Sequence, residues 1–218
     1  MITFDTLVDR ARALAAGPRR AVLGITGSPG AGKSTLAAAL LAALDDPRVA
    51  HVPMDGFHLA DVTLVALGRR DAKGAPDTFD AGGYVALLRR LRAADRDPAE
   101  DVIYAPAFER DLEQPLAGAI AVPRAARLVL TEGNYLLLDT GRWAAVRPEL
   151  DEVWFCDQHP DARLARLTAR HVAFGKDPAR AAAWVAAVDG PNAALVEATR
   201  SRADLLVPAS LLDALPAC

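Results

Sequence analysis

Several features are scarce or missing, and each absence narrows the reading. The 218 residues include only two cysteines, Cys156 and Cys218, which form no metal or redox spacing. Cys156 stands in an apolar run and reads as an inert core residue, so a reducing cytoplasm is the simplest compartment. No charged-then-apolar signal opens the chain and no apolar run is long enough to span a bilayer, so no membrane is expected as a partner. The net charge of −3 argues against a general nucleic-acid binder. No repeat, low-complexity segment or clear inter-domain linker is visible. One domain, 1–218, is expected, long enough to bury a sizeable core. Arginines cluster at 89–96 and 163–170; the first cluster reads as a solvated helix face.

What the chain does have is Gly27-Ser-Pro-Gly-Ala-Gly-Lys-Ser34, between an apolar strand at 21–26 and an alanine- and leucine-rich helix at 33–44. Gly27, Gly32, Lys33 and Ser34 fit the phosphate-loop pattern G-x-x-x-x-G-K-[ST]. The glycines allow a tight turn whose N–H groups point at one phosphate chain, and the following helix adds its partial positive end. Lys33 can reach the β- and γ-phosphates, and the Ser34 hydroxyl can ligate Mg²⁺. The expected nucleotide-binding residues are Gly27, Ser28, Gly30, Ala31, Gly32, Lys33, Ser34 and Thr35.

Residues 4–16 repeat apolar positions at helical spacing, and Gly17-Pro18 stops them. A second strand is expected over 49–54, followed at once by Asp55-Gly-Phe-His58. A carboxylate at the carboxyl end of a parallel strand lies where such sheets bind ligands, so Asp55 is a candidate base; a turn Asp before glycine is the alternative. His58 is a candidate substrate contact. Residues 60–82 read as a polar loop, and Asp80 as the N-cap of a helix over roughly 82–94, with Asp97-Pro98 ending that region. Two short β-like runs suggest a hairpin flap over about 101–122, carrying Tyr104, Glu109 and Arg110. Tyr104 and Arg110 are candidate substrate contacts.

The run 127–134 reads as a buried strand ending in Glu132, an acid placed to bind Mg²⁺ beside Ser34. Trp143 and Val146 should pack in the next helix, and 152–157 is another core strand. Pro160 starts a helix with Arg163, Arg166 and Arg170 on one face. A break at Phe174-Gly-Lys-Asp-Pro178, a helix over about 178–188, a new helix from Gly190 and a last strand at 202–207 complete the chain. Residues 163–188 read either as a phosphate lid or as a basic, solvated helical hairpin.

Taken together, the phosphate loop, Asp55-Gly-Phe, Pro76-Asp-Thr-Phe-Asp80, Glu132-Gly-Asn134 and the basic lid resemble the phosphoribulokinase, uridine kinase and bacterial pantothenate kinase group of P-loop kinases. The resemblance covers about residues 20–207. It implies an α/β fold: a P-loop NTPase three-layer sandwich with a mainly parallel five-stranded sheet, a small β-hairpin flap and a helical lid. It implies ATP and Mg²⁺ as cofactors, Asp55 as base toward an acceptor hydroxyl with Lys33 and Arg170 assisting catalysis, and Glu132 on the metal and substrate. Arg166, Arg170 and Lys176 would touch phosphates. Uridine kinases carry an Asp where this chain has Gly74, a His near Glu109, and a DSFY turn where this one reads DGFH. Those departures turn the expectation away from uridine. The expected activity is an ATP-dependent kinase acting on a hydroxyl of a small metabolite, a nucleoside, sugar or pantothenate-like acceptor. A homodimer is allowed. The alternatives are a nucleoside monophosphate kinase, or a regulatory NTP-binding protein; the chain has no Asn-Lys pair for an N-K-x-D base-reading motif.

Overall fold

The computed structural model describes residues 2–93, 100–175 and 177–216. Asp97-Pro98, Lys176 and Cys218 lie outside the described residues. The first helix, α1 (Phe4–Ala15), begins at a reciprocal cap in which Thr3 and Thr6 satisfy each other's backbone N–H groups. Then come β1 (Ala21–Thr26), α2 (Lys33–Leu44) and β2 (Val49–His51). The next segment holds α3 (Asp61–Ala66) and α4 (Ala81–Ala93), and a hairpin is made by β3 (Val102–Glu109) and β4 (Gln114–Pro123). β5 (Leu128–Glu132), β6 (Glu152–Asp157), α5 (Pro160–Ala173), α6 (Pro178–Trp184), α7 (Gly190–Glu197), β7 (Leu205–Pro208) and α8 (Ala209–Asp213) follow.

Five strands form one parallel sheet in the order β2-β5-β1-β6-β7, and β3 and β4 pair antiparallel beside it. β1 and β5 are buried at every residue, which is why they read as unbroken apolar runs. Side chains alternate between faces. Leu23, Ile25, Leu128, Leu130, Trp154 and Cys156 pack with α1, α2 and α8. Val22, Val129, Val153 and Phe155 face α4, with Tyr84, Tyr135 and Trp143. Helices on both faces make three layers, the α/β class expected. Burial pushes the Cys156 thiol up to about 12, so it stays an unreactive core residue.

Four expectations of local structure change. The strand at 49–54 is shorter: Pro53 interrupts it, and Met54–Phe57 is a 3₁₀ turn. The segment 60–82 is no plain loop, because it holds α3 and 3₁₀ turns at Arg70–Ala72 and Pro76–Thr78. Trp143 and Val146 are buried as expected, but beside short 3₁₀ turns (Gly141–Ala145 and Arg147–Glu149) in place of a helix. No break separates α6 from α7; a π turn at Val185–Asp189 joins them. Among the described residues, no helix is long and apolar enough to cross a membrane.

Candidate active site

The loop between β1 and α2 takes backbone shapes that side chains oppose. Gly27 has φ 146°, and a Cβ there would come within 2.9 Å of the Cys156 carbonyl oxygen. Gly30 has φ 77°, and a Cβ there would meet the Arg163 carbonyl at 2.8 Å. Lys33 opens α2 with its side chain buried, and its Nζ donates to the Ser28 carbonyl at 3.1 Å. Burial lowers the Lys33 pKa, while Glu132 and Asp55 pull it back upward. β1 and β5 lie side by side with Ile25 opposite Glu132, which brings the acid at the end of β5 to the loop. There the Ser34 hydroxyl donates to Glu132 Oε1 at 3.0 Å. Burial, and next the charge of Asp55, push Glu132 above the usual carboxylate range.

Asp55 sits in the 3₁₀ turn after β2. Two glycines let that turn pack closely. A Cβ on Gly133 would lie 2.6 Å from the Met54 sulfur, and a Cβ on Gly56 would collide with the Pro106 carbonyl of the hairpin. The hairpin tip brings Arg110 Nη2 to 3.7 Å from Asp55 Oδ2. His58 Nδ1–H donates to the Asp55 carbonyl at 2.7 Å. Its ring lies 4.0 Å from Phe79 and 4.7 Å from Phe108, centroid to centroid. Burial lowers the His58 pKa, so the ring is neutral at pH 7.

These groups open into one cleft of about 410 Å³. It gathers Gly30, Lys33, Ser34, Asp55, His58, Arg110, Glu132 and Arg170 from the residues singled out in the sequence. Within the loop Gly27, Ser28 and Ala31 are buried, Gly32 and Thr35 are half-buried, and none of these lines the cleft. Tyr104 does not reach it. Ile103 and Ala105 are buried, so the alternation of β3 turns Tyr104 outward to 59% exposure. Arg166 does not line the cleft either: it pairs with Asp213 at 2.7 Å, and its Nη1 would lie 3.6 Å from a Cβ placed on Gly32. Arg163, read as a lid cation, is buried, and its Nη1 donates to the Pro29 carbonyl at 3.3 Å.

Sequence reasoning missed Asp61, Lys73, Trp184, Asp189 and Asn192, which also line the cleft. Lys73 Nζ donates to Asp61 Oδ1 at 2.7 Å and lies 5.4 Å above the Phe108 ring. Reading 60–82 as a loop hid the first pair. Reading Gly190-Pro191 as a helix start hid the helical spacing of Asp189 and Asn192.

A phosphate loop on the central strand, an acid ending the neighbouring strand and a second acid across the cleft are the parts of a P-loop phosphotransferase. No family model matches the chain. Among curated proteins it is 36% identical over 199 residues to the uncharacterized protein YggC of Escherichia coli, spanning 87% of this chain and 78% of that one. It is 34% identical over 186 residues to a Schizosaccharomyces pombe protein named provisionally as a uridine kinase, spanning 79% and 75%. Other curated matches bear the names pantothenate kinase and ATP-dependent kinase. The crystal structure of a Silicibacter sp. protein, provisionally a fructose transport system kinase, superposes with a TM-score of 0.83 at 33% identity, covering 95% of this chain and all of the other. The chain belongs to the P-loop kinases of the phosphoribulokinase, uridine kinase and bacterial pantothenate kinase group.

Proposed function

We propose that this protein transfers the γ-phosphoryl group of ATP to a hydroxyl of a small metabolite, with Asp55 taking the hydroxyl proton. The observation that supports this best is the joint opening of Asp55, Lys33 and the Ser34–Glu132 pair into one cleft. The donor set suits Mg²⁺. A hydroxyl and a carboxylate oxygen 3.0 Å apart are hard oxygen ligands. Among the described residues no group of three or more His, Cys, Asp or Glu could hold a metal by itself. Mg²⁺ usually takes one or two protein oxygens together with substrate phosphates. Ser34 and Glu132 would hold the ion, which neutralises charge on the phosphate oxygens when bound.

Lys33 and the loop N–H groups hold the triphosphate. Arg170, on the cleft wall, adds positive charge where the phosphoryl group travels. Asp55 accepts the proton as the acceptor oxygen bonds to phosphorus and the bond to the β-phosphate oxygen breaks, leaving ADP. The segment 163–188 acts as the lid that excludes water.

The acceptor is an alcohol, bound between the Asp55 turn, the hairpin and α7. A second reading, a phosphorylated acceptor such as a nucleoside monophosphate, is favoured by Arg70, Lys73 and Arg110 on that side of the cleft. ADP release with Mg-ATP, measured across nucleosides, sugars, glycerate, pantothenate and nucleoside monophosphates, tests both. One acceptor should give strong turnover that falls about 10²-fold or more in Asp55→Asn, with nucleotide affinity kept. An unchanged kcat removes Asp55 from the role of base.

A further inference from the structure

The nine residues 189–197 touch three separate segments around the cleft: α5, the stretch between α3 and α4, and the phosphate loop. Asp189 Oδ2 lies 2.9 Å from His171 Nε2, on the last turn of α5. Asn192 Nδ2 donates to the Gly74 carbonyl at 3.3 Å, in the segment between α3 and α4. Glu197 Oε1 accepts from the Ser28 hydroxyl of the phosphate loop at 2.5 Å. The Ala193 carbonyl lies 3.4 Å from the same hydroxyl. Asp189 and Asn192 are three residues apart and Ala193 and Glu197 four, so each pair is adjacent on the helix surface.

The contacts are shielded. Asn192 is 5% exposed, Ser28 is fully buried, and the His171 and Asp189 side chains are 14% and 12% exposed. Hydrogen bonds in such surroundings are costly to leave unmade. The helix carrying them is also built irregularly. Gly190 N–H reaches back five residues to the Val185 carbonyl, just before Pro191, which has no N–H to give. Single π turns of this kind often mark functional places in helices.

Gly74 has little freedom of its own. It has φ 102°, its N–H donates to Thr78 Oγ1 at 3.0 Å, and its carbonyl also accepts from the Tyr135 hydroxyl. The segment it anchors carries Lys73 into the cleft. One helix thus touches both the phosphate loop, through Ala193 and Glu197, and the segment 70–78, through Asn192.

We infer that α7 couples nucleotide binding to the ordering of segment 70–78, with Glu197 and Asn192 as positioning residues that act through Ser28 and Gly74. The inference rests on the nucleotide-binding reading of the phosphate loop. Hydrogen exchange with and without a non-hydrolysable ATP analogue and Mg²⁺ tests it, because no acceptor is needed. In the unaltered protein the analogue should slow exchange at both 27–35 and 70–79, about fivefold or more at the second segment.

In Asn192→Ala the protection at 27–35 and the analogue Kd should stay within about twofold, while the protection at 70–79 is lost. Asn192→Asp keeps the shape and removes the donor, and should behave the same way if the alanine variant folds poorly. Tyr135→Phe removes the other donor to Gly74 without touching α7, and should keep the nucleotide-induced protection. Glu197→Ala should abolish the response at 70–79, and Glu197→Gln, which keeps an acceptor oxygen for Ser28, should restore it.

Full protection at 70–79 in both Asn192 variants overturns the proposal, as does its absence in the unaltered protein when 27–35 is protected. Absence of protection at 27–35 overturns the nucleotide reading itself, and the coupling falls with it.

Discussion

Ser34 and Glu132 stand 98 residues apart in sequence, yet the Ser34 hydroxyl donates to Glu132 Oε1 at 3.0 Å. Two parallel strands in register create that contact. β1 leads into the loop carrying Ser34, and β5 ends at Glu132 beside it. Glu132→Gln keeps an acceptor for the hydroxyl and removes the charge. The Mg²⁺ concentration giving half-maximal activity should rise about tenfold or more. A magnesium titration that does not move takes Glu132 away from the metal.

Lys33→Met should separate binding from stability. The ammonium is buried, and burial lowers its pKa, so the folded protein carries a desolvation cost there. Nucleotide affinity, read by fluorescence titration, should fall at least about tenfold, or 1.4 kcal/mol. The Tm should hold or rise. A large drop in Tm with retained affinity would reverse both assignments.

Gly56→Ala tests how the hairpin docks on the Asp55 turn. The added methyl group would collide with the Pro106 carbonyl. Crowding of this kind costs about 1–3 kcal/mol. The unfolding midpoint in urea should drop accordingly, and kcat should fall because Arg110 rides on the same hairpin. Stability equal to that of the unaltered protein would mean that the hairpin adjusts freely.

The pH dependence of stability should show two separate windows. His51 and His58 are buried, which lowers both pKa values from 6.5. The unfolded chain therefore binds protons that the folded chain refuses as the pH drops below about 6.5. Stability from these groups is full above that value and is lost as the pH falls toward the folded pKa. The Tm should decline as the pH falls below about 6.5, and less steeply in a His51→Gln, His58→Gln double variant. Asp61 and Asp157 are held below 3.8, chiefly by hydrogen bonds from Lys73 and Arg200 respectively. They add a loss only at lower pH. Identical slopes for the double variant and the unaltered protein above pH 5 would exclude the histidines.

Part of the cleft was legible because its signals are local. The glycines, Lys33 and Ser34 announce the loop by spacing alone, and Asp55 and Glu132 follow apolar strands. Tyr104 shows what a period-two reading could have caught: its neighbours Ile103 and Ala105 face inward, so Tyr104 must face out. Arg163 shows the limit of counting charges on a helix face. It follows the same spacing as Arg166 and Arg170, yet it lies against Pro29, where α5 packs on the loop. Both helices in 178–197 were expected, but their continuity was hidden because glycine and proline ordinarily punctuate helices, whereas here a π turn absorbs them.

The sequence by itself determined the main strands, the phosphate loop and the class of chemistry. Each of these depends on residues within a few positions of one another. The tertiary structure decided which side chains share the cleft. It sent Arg166 to Asp213, and brought Lys73, Asp189 and Asn192 to the cleft that Asp55 lines. It also joined Ser28 to Glu197 across 169 residues. Contacts over such separations depend on how layers pack on the sheet, and short-range spacing along a chain carries no record of that packing.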